Sequence, residues 1–262
     1  MNKLPQITLF FWIMKICATT LGETAGDLLS MTLNVGYAVS SLILISVFLL
    51  TLVAQLASKK HYPLLYWAVI LSTSTAGTTI SDYMDRTLGL GYMKGSVILL
   101  ALLLAILIFW RFSVRDLSVV NIKTFKVELL YWAAILVSNT LGTALGDFLA
   151  DDSGLGFGGG ALLISALIGL IVVAYYFSAI SRVLLFWLAF ILTRPFGATM
   201  GDLLTKSHQE GGLDFGTIGS SAILSGLLAI FVIHSIISEK RRALAQMDPA
   251  FSILESEMEE KR

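Results

Sequence analysis

The chain has 262 residues, of which 56% are hydrophobic and 14% charged, with 18 basic and 18 acidic side chains and no formal net charge. This composition excludes an ordinary soluble domain, in which about a quarter of the residues are charged, and the balanced charge favours no nucleic acid partner. The apolar runs at 41–56, 96–110, 161–177 and 221–237 approach or reach the roughly 20 residues that a helix needs to cross a bilayer. We therefore predict an all-α polytopic membrane protein.

One pattern recurs four times along the chain. A tryptophan is followed fifteen residues later by an aspartate, an aromatic residue precedes each tryptophan, and a glycine follows it by ten residues. The four pairs are Trp12/Asp27, Trp67/Asp82, Trp132/Asp147 and Trp187/Asp202. Agreement at this many positions without a gap predicts a fourfold internal repeat.

Each repeat predicts two membrane helices. The first helices are expected at 8–30, 64–85, 126–149 and 183–204, and the second at 36–57, 92–112, 157–178 and 216–238. The repeats then cover 8–57, 64–112, 126–178 and 183–238, which gives eight transmembrane helices in one domain, 1–238. Because every repeat contains two spans, all four point the same way, and we expect pseudo-symmetry about the membrane normal.

Basic residues predict the orientation. They are concentrated at the N-terminus, in the connectors between repeats and in the tail, whereas the opposite loops hold only Arg86, Lys94 and Lys206. By the positive-inside rule both termini are cytoplasmic, and the four aspartates lie towards the outer ends of their helices. Residues 239–262 form a charged cytoplasmic tail, and both a partner at this tail and a homo-oligomer stay open.

Two sets of glycines have alternative interpretations. Those ten residues after each tryptophan would either let helices pack closely or open the backbone to expose carbonyl ligands. Gly36, Gly91 and Gly156, nine residues after the first three aspartates, are interpreted mainly as packing sites. The small residues four positions later, Ser40, Gly95 and Gly160, are interpreted in the same way.

A polar stripe precedes each aspartate. Steps of four residues stay on one helical face, so the polar residues met in this way should line a shared interior. They are Lys15, Thr19, Glu23 and Asp27 in the first copy, Ser74, Thr78 and Asp82 in the second, Asn139, Thr143 and Asp147 in the third, and Arg194 and Asp202 in the fourth. Buried charges in a membrane are costly and usually mark an ion pathway or an internal pair. The structural alternative is that Thr, Ser, Asn and Gly merely join helices and that the aspartates at the outer helix ends are solvated or cap the next helix. Glu23 would then pair with Arg194 or Lys15.

The stripe contains five acids and two bases, and this excess of negative charge favours a cation. Carboxylates with Thr, Ser and Asn offer the oxygen ligands that Mg²⁺ or Mn²⁺ prefers. The predicted metal ligands are Asp27, Asp82, Asp147, Asp202 and Glu23. The leading hypothesis is thus a transporter of a small divalent cation, with proton exchange as one form of coupling.

Two other functions stay open. In one, Lys15 and Arg194 bind a small anion or zwitterion, and in the other the protein is a scaffold or sensor that transports nothing. No cofactor motif is visible, and no nucleophile and base are paired within the bilayer, so no enzyme activity and no cofactor are expected.

The repeats also resemble a known family. The segments FWIMKICATTLGETAGD, YWAVILSTSTAGTTISD, YWAAILVSNTLGTALGD and FWLAFILTRPFGATMGD are similar to a bacterial inner-membrane family made of four tandem two-helix repeats of unknown function, each with a characteristic tryptophan. The likeness extends from about Leu9 to Ile237. It implies a bacterial cytoplasmic membrane protein with eight spans and implies no activity. The fourth copy departs from the pattern at Arg194 and Pro195 and in its longer outer loop.

Overall fold

The computed structural model describes residues 5–114, 117, 119, 122 and 124–247, and this part of the chain is helical without a strand. The predicted all-α class is confirmed. The helices are α1 (Leu9–Asp27), α2 (Tyr37–Ala57), α3 (Pro63–Asp82), α4 (Tyr92–Val114), α5 (Phe125–Asp147), α6 (Gly156–Phe177), α7 (Arg182–Thr205) and α8 (Thr217–Met247). Helix α8 continues past 238, so the predicted tail begins as helix, and residues 248–262 lie outside the described residues.

The first helices of the four repeats form a closed ring. Helix α1 packs against α3, α3 against α5, α5 against α7, and α7 against α1. The second helices lie outside this ring, and each packs on the first helix of the following repeat: α2 on α3, α4 on α5, α6 on α7, and α8 back on α1. The outer helix of each repeat therefore covers the ring helix of the next repeat, and α8 of the last repeat covers α1 of the first.

Glycines let the ring helices approach one another. A Cβ added to Gly77 of α3 would lie 2.9 Å from the backbone nitrogen of Thr140 on α5, which is closer than such atoms can pack. The equivalent glycines face the next ring helix in the same way: Gly22 faces Ser74, Gly142 faces Arg194 and Pro195, and Gly197 faces Thr19. The helices stay α-helical through all four positions. Close packing is therefore the role of these glycines, and the backbone does not open there.

The chain changes direction just after each of the first three aspartates. There α1, α3 and α5 continue as one π-helical turn each, at Leu28–Thr32, Tyr83–Thr87 and Phe148–Asp152. The fourth repeat has none: α7 runs on to Thr205, and a short 3₁₀-helix follows at His208–Glu210. The fourfold pattern is thus broken at this end of the ring.

Glycine is required where the second helices begin. Gly36, Gly91 and Gly156 have φ angles of +80°, +73° and +67°, and Gly216 with +69° occupies the corresponding place before α8. A Cβ on any of these four would meet nothing within 4 Å, so the packing interpretation of the first three is wrong. Their role is to adopt a left-handed conformation that other residues rarely tolerate.

The packing interpretation fits the small residues that follow Gly36, Gly91 and Gly156 by four positions. A Cβ on Gly95 would overlap the Asp85 carboxylate, and one on Gly160 would lie 3.2 Å from a methyl carbon of Thr199. Ser40, the third member of this set, is fully buried. These positions allow the start of each outer helix to pack tightly.

The distribution of polar residues is the reverse of that in a soluble protein. The ring interior is rich in buried Thr, Ser and charged side chains, whereas the outer helices expose Leu, Ile, Val and Phe. Six of the described helices, α2 and α4 to α8, are long and apolar enough to span a membrane. Helices α1 and α3 are not among the six, and both carry many buried polar residues on faces that the ring covers. An apolar exterior of this extent is typical of a membrane protein.

Candidate functional site

Stripes from the four ring helices meet in an axial column of five layers. The aspartate layer is Asp27, Asp82, Asp147 and Asp202. One turn before it is the glutamate layer, Glu23, Thr78, Thr143 and Ala198. The arginine layer is Thr19, Ser74, Asn139 and Arg194, and the lysine layer is Lys15, Ile70, Ile135 and Phe190. The aromatic layer is Phe11, Tyr66, Tyr131 and Phe186. No residue of the first four layers is more than 4% exposed, so all twelve predicted site residues lie inside the protein.

An ion pair occupies the middle of the column. Arg194 Nη1 donates to Glu23 Oε2 over 2.8 Å, and both side chains are buried. The pair connects α7 to α1, which are neighbours in the ring. Of the two internal pairs that the sequence allowed for Glu23, the structure contains the one with Arg194.

Two threonines complete the surroundings of this pair. Arg194 Nη2 donates to the hydroxyls of Thr78 and Thr143 and to the carbonyl oxygen of Ser74 at 3.3 Å. The same two hydroxyls lie 3.2 and 3.3 Å from Glu23 Oε2, to which each is able to donate. Arg194 and Glu23 thereby contact all four ring helices, and both terminal nitrogens of the guanidinium have acceptors within the protein.

The aspartate layer is bridged by two basic residues. Arg86 contacts Asp82 at 3.0 Å and Asp147 at 3.6 Å, and Lys206 contacts Asp27 at 2.9 Å and Asp202 at 3.2 Å. We expected both bases to lie in outer loops, away from the stripe. The column thus holds five acids and four bases, and its negative excess is smaller than the sequence analysis suggested.

A signal for these two bases is present in the sequence. Both Arg86 and Lys206 stand four residues after a layer aspartate, where the other two copies have Met31 and Asp151. Counting the stripe forward by one turn, as well as backward, would have found them.

The loop after α7 holds Lys206 in position. The Lys206 carbonyl accepts from the Asp214 amide at 3.0 Å, and Glu210 accepts from both the amide and the hydroxyl of Ser207. These bonds lower the pKa of Glu210 below its ordinary value. Burial disfavours the charge on Lys206, but the carboxylates of Asp202 and Asp27 outweigh it and raise the pKa of the ammonium above its ordinary range.

Three carboxylates lie at a spacing that suits a metal ion. Within the described residues, Glu23, Asp147 and Asp202 each offer one oxygen, and these oxygens lie within 4.8 Å of one another. Asp27 and Asp82, the other two predicted ligands, are in the same layer but outside this group. One oxygen of Asp82, Oδ2, is buried and has no hydrogen-bond partner in the part of the chain that the structure describes.

Lys15 lies alone in an apolar layer. Its ammonium is 4.1 Å from the centre of the Phe190 ring, and Ile70 and Ile135 are fully buried in the same layer. Nζ has no hydrogen-bond partner among the described residues. The attraction of a cation to an aromatic face compensates for part of the lost hydration.

Aromatic residues close the column on the side of the tryptophans. The hydroxyls of Tyr66 and Tyr131 share a hydrogen bond of 2.9 Å, and Trp67 and Trp132 are buried beside them. The two hydroxyls satisfy each other, and the rings around them are packed mainly edge to face. Within the five layers, charged side chains therefore end at the lysine layer.

The remaining polar side chains of the arginine layer are only partly hydrogen-bonded. The Thr19 hydroxyl donates to carbonyl oxygens of its own helix and lies 3.1 Å from the carbonyl oxygen of Thr193 on α7. The Asn139 amide nitrogen donates to Thr73 at 2.9 Å, while Asn139 Oδ1 and the Ser74 hydroxyl have no hydrogen-bond partner among the described residues. Thr19 and Asn139 thus also join helices, as the structural alternative predicted.

The four repeats match one family model. It is described as "Repeat of Unknown Function (DUF347)" and matches residues 10–61, 65–116, 130–181 and 185–241. The chain belongs to this family. The resemblance drawn from the tryptophan register is thereby confirmed, and each DUF347 match begins within two residues of the tryptophan of its copy. No curated protein and no solved structure matches the chain.

Proposed function

We propose that the protein is a membrane transporter for a small divalent cation such as Mn²⁺ or Mg²⁺, which moves along the axial column. The observation that carries this proposal is the aspartate layer: the same acid from each of four DUF347 repeats lies buried in one layer. Helix packing alone does not require an acid, because Thr and Ser join these helices elsewhere. Buried acids in a membrane interior usually belong to an ion pathway.

The spacing of the carboxylates supports a divalent ion. Oxygens on opposite sides of Mg²⁺ or Ca²⁺ lie about 4–5 Å apart, and those of Glu23, Asp147 and Asp202 lie within 4.8 Å of one another. The unpartnered Oδ2 of Asp82 adds an oxygen in the adjoining part of the layer. These are hard ligands, which suit Mn²⁺ and Mg²⁺ better than soft metals.

Protons are the proposed exchange ion. In exchange for the cation, carboxylates of the aspartate layer accept protons, since acids that lie close together are costly to keep ionised where they are buried. The lysine layer then serves as the barrier of the resting state, because three of its four members are apolar. Movement of the ring helices would be needed to pass the ion through it.

We further propose that all eight helices span the inner membrane, with both termini in the cytoplasm. The cyclic packing of α1 to α8 supports a pseudo-symmetry axis along the membrane normal, as does the even number of helices in each repeat. Helices α1 and α3 would cross within the ring, shielded from lipid by the apolar outer helices. Cysteine accessibility at positions 60 and 152 tests this orientation, because only position 152 should be labelled from outside.

Flux into proteoliposomes tests the transport function. Purified protein should carry Mn²⁺ in the direction opposite to the protons when a proton gradient is imposed, and Asp82→Asn should abolish the flux while the protein still elutes as a single folded species. Asp152→Asn is the matched control: Asp152 is exposed at the same end of the ring, and its loss should leave flux within about twofold.

Two other results would favour a different function. Flux of a small anion or zwitterion that is lost in Lys15→Ala would make the bases the binding groups. Absence of any flux, with a cellular effect only on deletion of 239–262, would favour a scaffold or sensor that acts through its tail.

A further inference from the structure

Arg86 and Lys206 bridge the aspartate layer in a twofold pattern. Each base contacts the aspartate of its own repeat and that of the next repeat around the ring: Arg86 joins α3 to α5, and Lys206 joins α7 to α1. The other two edges of the layer, between α1 and α3 and between α5 and α7, have no such bridge among the described residues. Four equivalent acids are thus divided into two pairs.

Both bases cover the layer from its open end. The side chains of Arg86 and Lys206 are 32% and 18% exposed, whereas the aspartates beneath them are at most 5% exposed. Arg86 stands in the π-helical turn after α3, with its guanidinium 5.6 Å from the ring centre of Tyr92. Lys206 directly follows α7. Solvent on that side therefore meets the two bases before it meets the acids.

We propose that Arg86 and Lys206 are tethered counter-cations that close the outer mouth of the column and compete with the transported ion. This inference rests on the proposed function, since it takes the aspartate layer as the site that the ion enters. Each base occupies oxygens of two carboxylates. An arriving ion must displace the base before it gains those ligands, and its apparent affinity is the intrinsic affinity multiplied by the fraction of time that the base is away.

The same bridges predict a preference for divalent ions. When Lys206 leaves, Asp27 and Asp202 together carry two negative charges, and a divalent ion neutralises both. A monovalent ion carries the same charge as the lysine that it displaces. It therefore gains no electrostatic advantage over a base that is already tethered beside the two carboxylates. Binding of monovalent ions is therefore suppressed as long as the bridge is intact.

Thermal unfolding of the full-length purified protein, titrated with Mn²⁺ and separately with Na⁺, tests this inference. Lys206→Gln keeps a side chain of similar length without the charge. We expect it to lower the half-saturating Mn²⁺ concentration by about tenfold or more and to make Na⁺ stabilising. Lys94→Gln is the matched control, because Lys94 is an exposed base on α4 near the same end, and its titration should follow that of the unchanged protein.

The outcomes separate this inference from the proposed function. If Mn²⁺ stabilises the unchanged protein and Lys206→Gln binds it equally or more weakly, the counter-cation role is overturned and the cation site stands. A Mn²⁺ response that appears only in Lys206→Gln supports both. If Mn²⁺ stabilises no variant, both are overturned. Arg86→Gln repeats the comparison at the second bridge and serves in place of Lys206→Gln if that variant does not fold.

Discussion

Removal of the charge on Glu23 should destabilise the folded protein strongly. Glu23→Gln preserves the shape of the side chain but leaves Arg194, which is fully buried, with hydroxyl and carbonyl acceptors only. Breaking a buried ion pair by removing one partner typically costs 3–5 kcal/mol, about the size of the whole stability of a marginal domain. We expect a loss in this range, because the contact between Nη1 and Glu23 is 2.8 Å long and shielded from water.

A double-mutant cycle separates the pair from its neighbours. Arg194→Met removes the second charge and fills the same space with an apolar chain, and the hydroxyl of Thr78 keeps an acceptor in the Ser74 carbonyl at 3.2 Å. The double variant should therefore be more stable than Glu23→Gln alone. The coupling energy should exceed about 1 kcal/mol, as expected for residues in contact.

Unfolding by a denaturing detergent in mixed micelles, followed by tryptophan fluorescence, measures these free energies. Asp152→Asn controls for loss of an exposed acid and should stay within about 0.5 kcal/mol. A cost below about 1 kcal/mol for Glu23→Gln, or additive effects in the cycle, would refute the view that this pair holds α7 to α1.

Two further predictions use the same unfolding assay. Gly77→Ala should lower the free energy of unfolding by about 1–3 kcal/mol, because its methyl group would meet backbone atoms of α5. Gly169→Ala on α6, where an added methyl group meets nothing within 4 Å, should raise it by about 0.5–1 kcal/mol. Equal effects would contradict the close approach of α3 and α5. Lys15→Met should raise stability by about 1–3 kcal/mol, since it removes an ammonium without a hydrogen-bond partner from an apolar layer. A loss of stability there would mean that the contact with Phe190 outweighs the desolvation cost.

Periodicity was sufficient to predict the helices and the column. The tryptophan-to-aspartate register fixes which face of each first helix is equivalent in the four copies, and steps of four residues identify the face that turns inward. Because the first helices pack in a ring, their equivalent faces must meet. The stripe residues of all four helices are buried there, as this argument requires. This prediction requires only the symmetry of the repeat and the pitch of a helix.

Periodicity was insufficient at the ends of the helices. The π-helical turn at Tyr83–Thr87 and the extended backbone at Lys206 bring two bases back over the aspartate layer, and neither conformation has a periodic signature. For the same reason the interpretation of Gly36 as a packing site is wrong, because its role is to adopt a positive φ angle. Backbone conformation at helix ends depends on single residues, so the periodicity of the repeats does not predict it.

Departures from symmetry explain the centre of the column. In the glutamate layer three copies offer Glu23, Thr78 and Thr143, whereas the fourth offers only the methyl group of Ala198. The guanidinium of Arg194, one turn below on the same helix, reaches the side chains of the other three copies at this level. An arginine is thus tolerated in the ring because its own repeat lacks a large side chain one turn above and the next repeat supplies an acid. Four identical repeats would hold either four arginines or none, so duplication alone does not produce this pair. Divergence between neighbouring copies is what makes a single buried charge pair fit inside a fourfold scaffold.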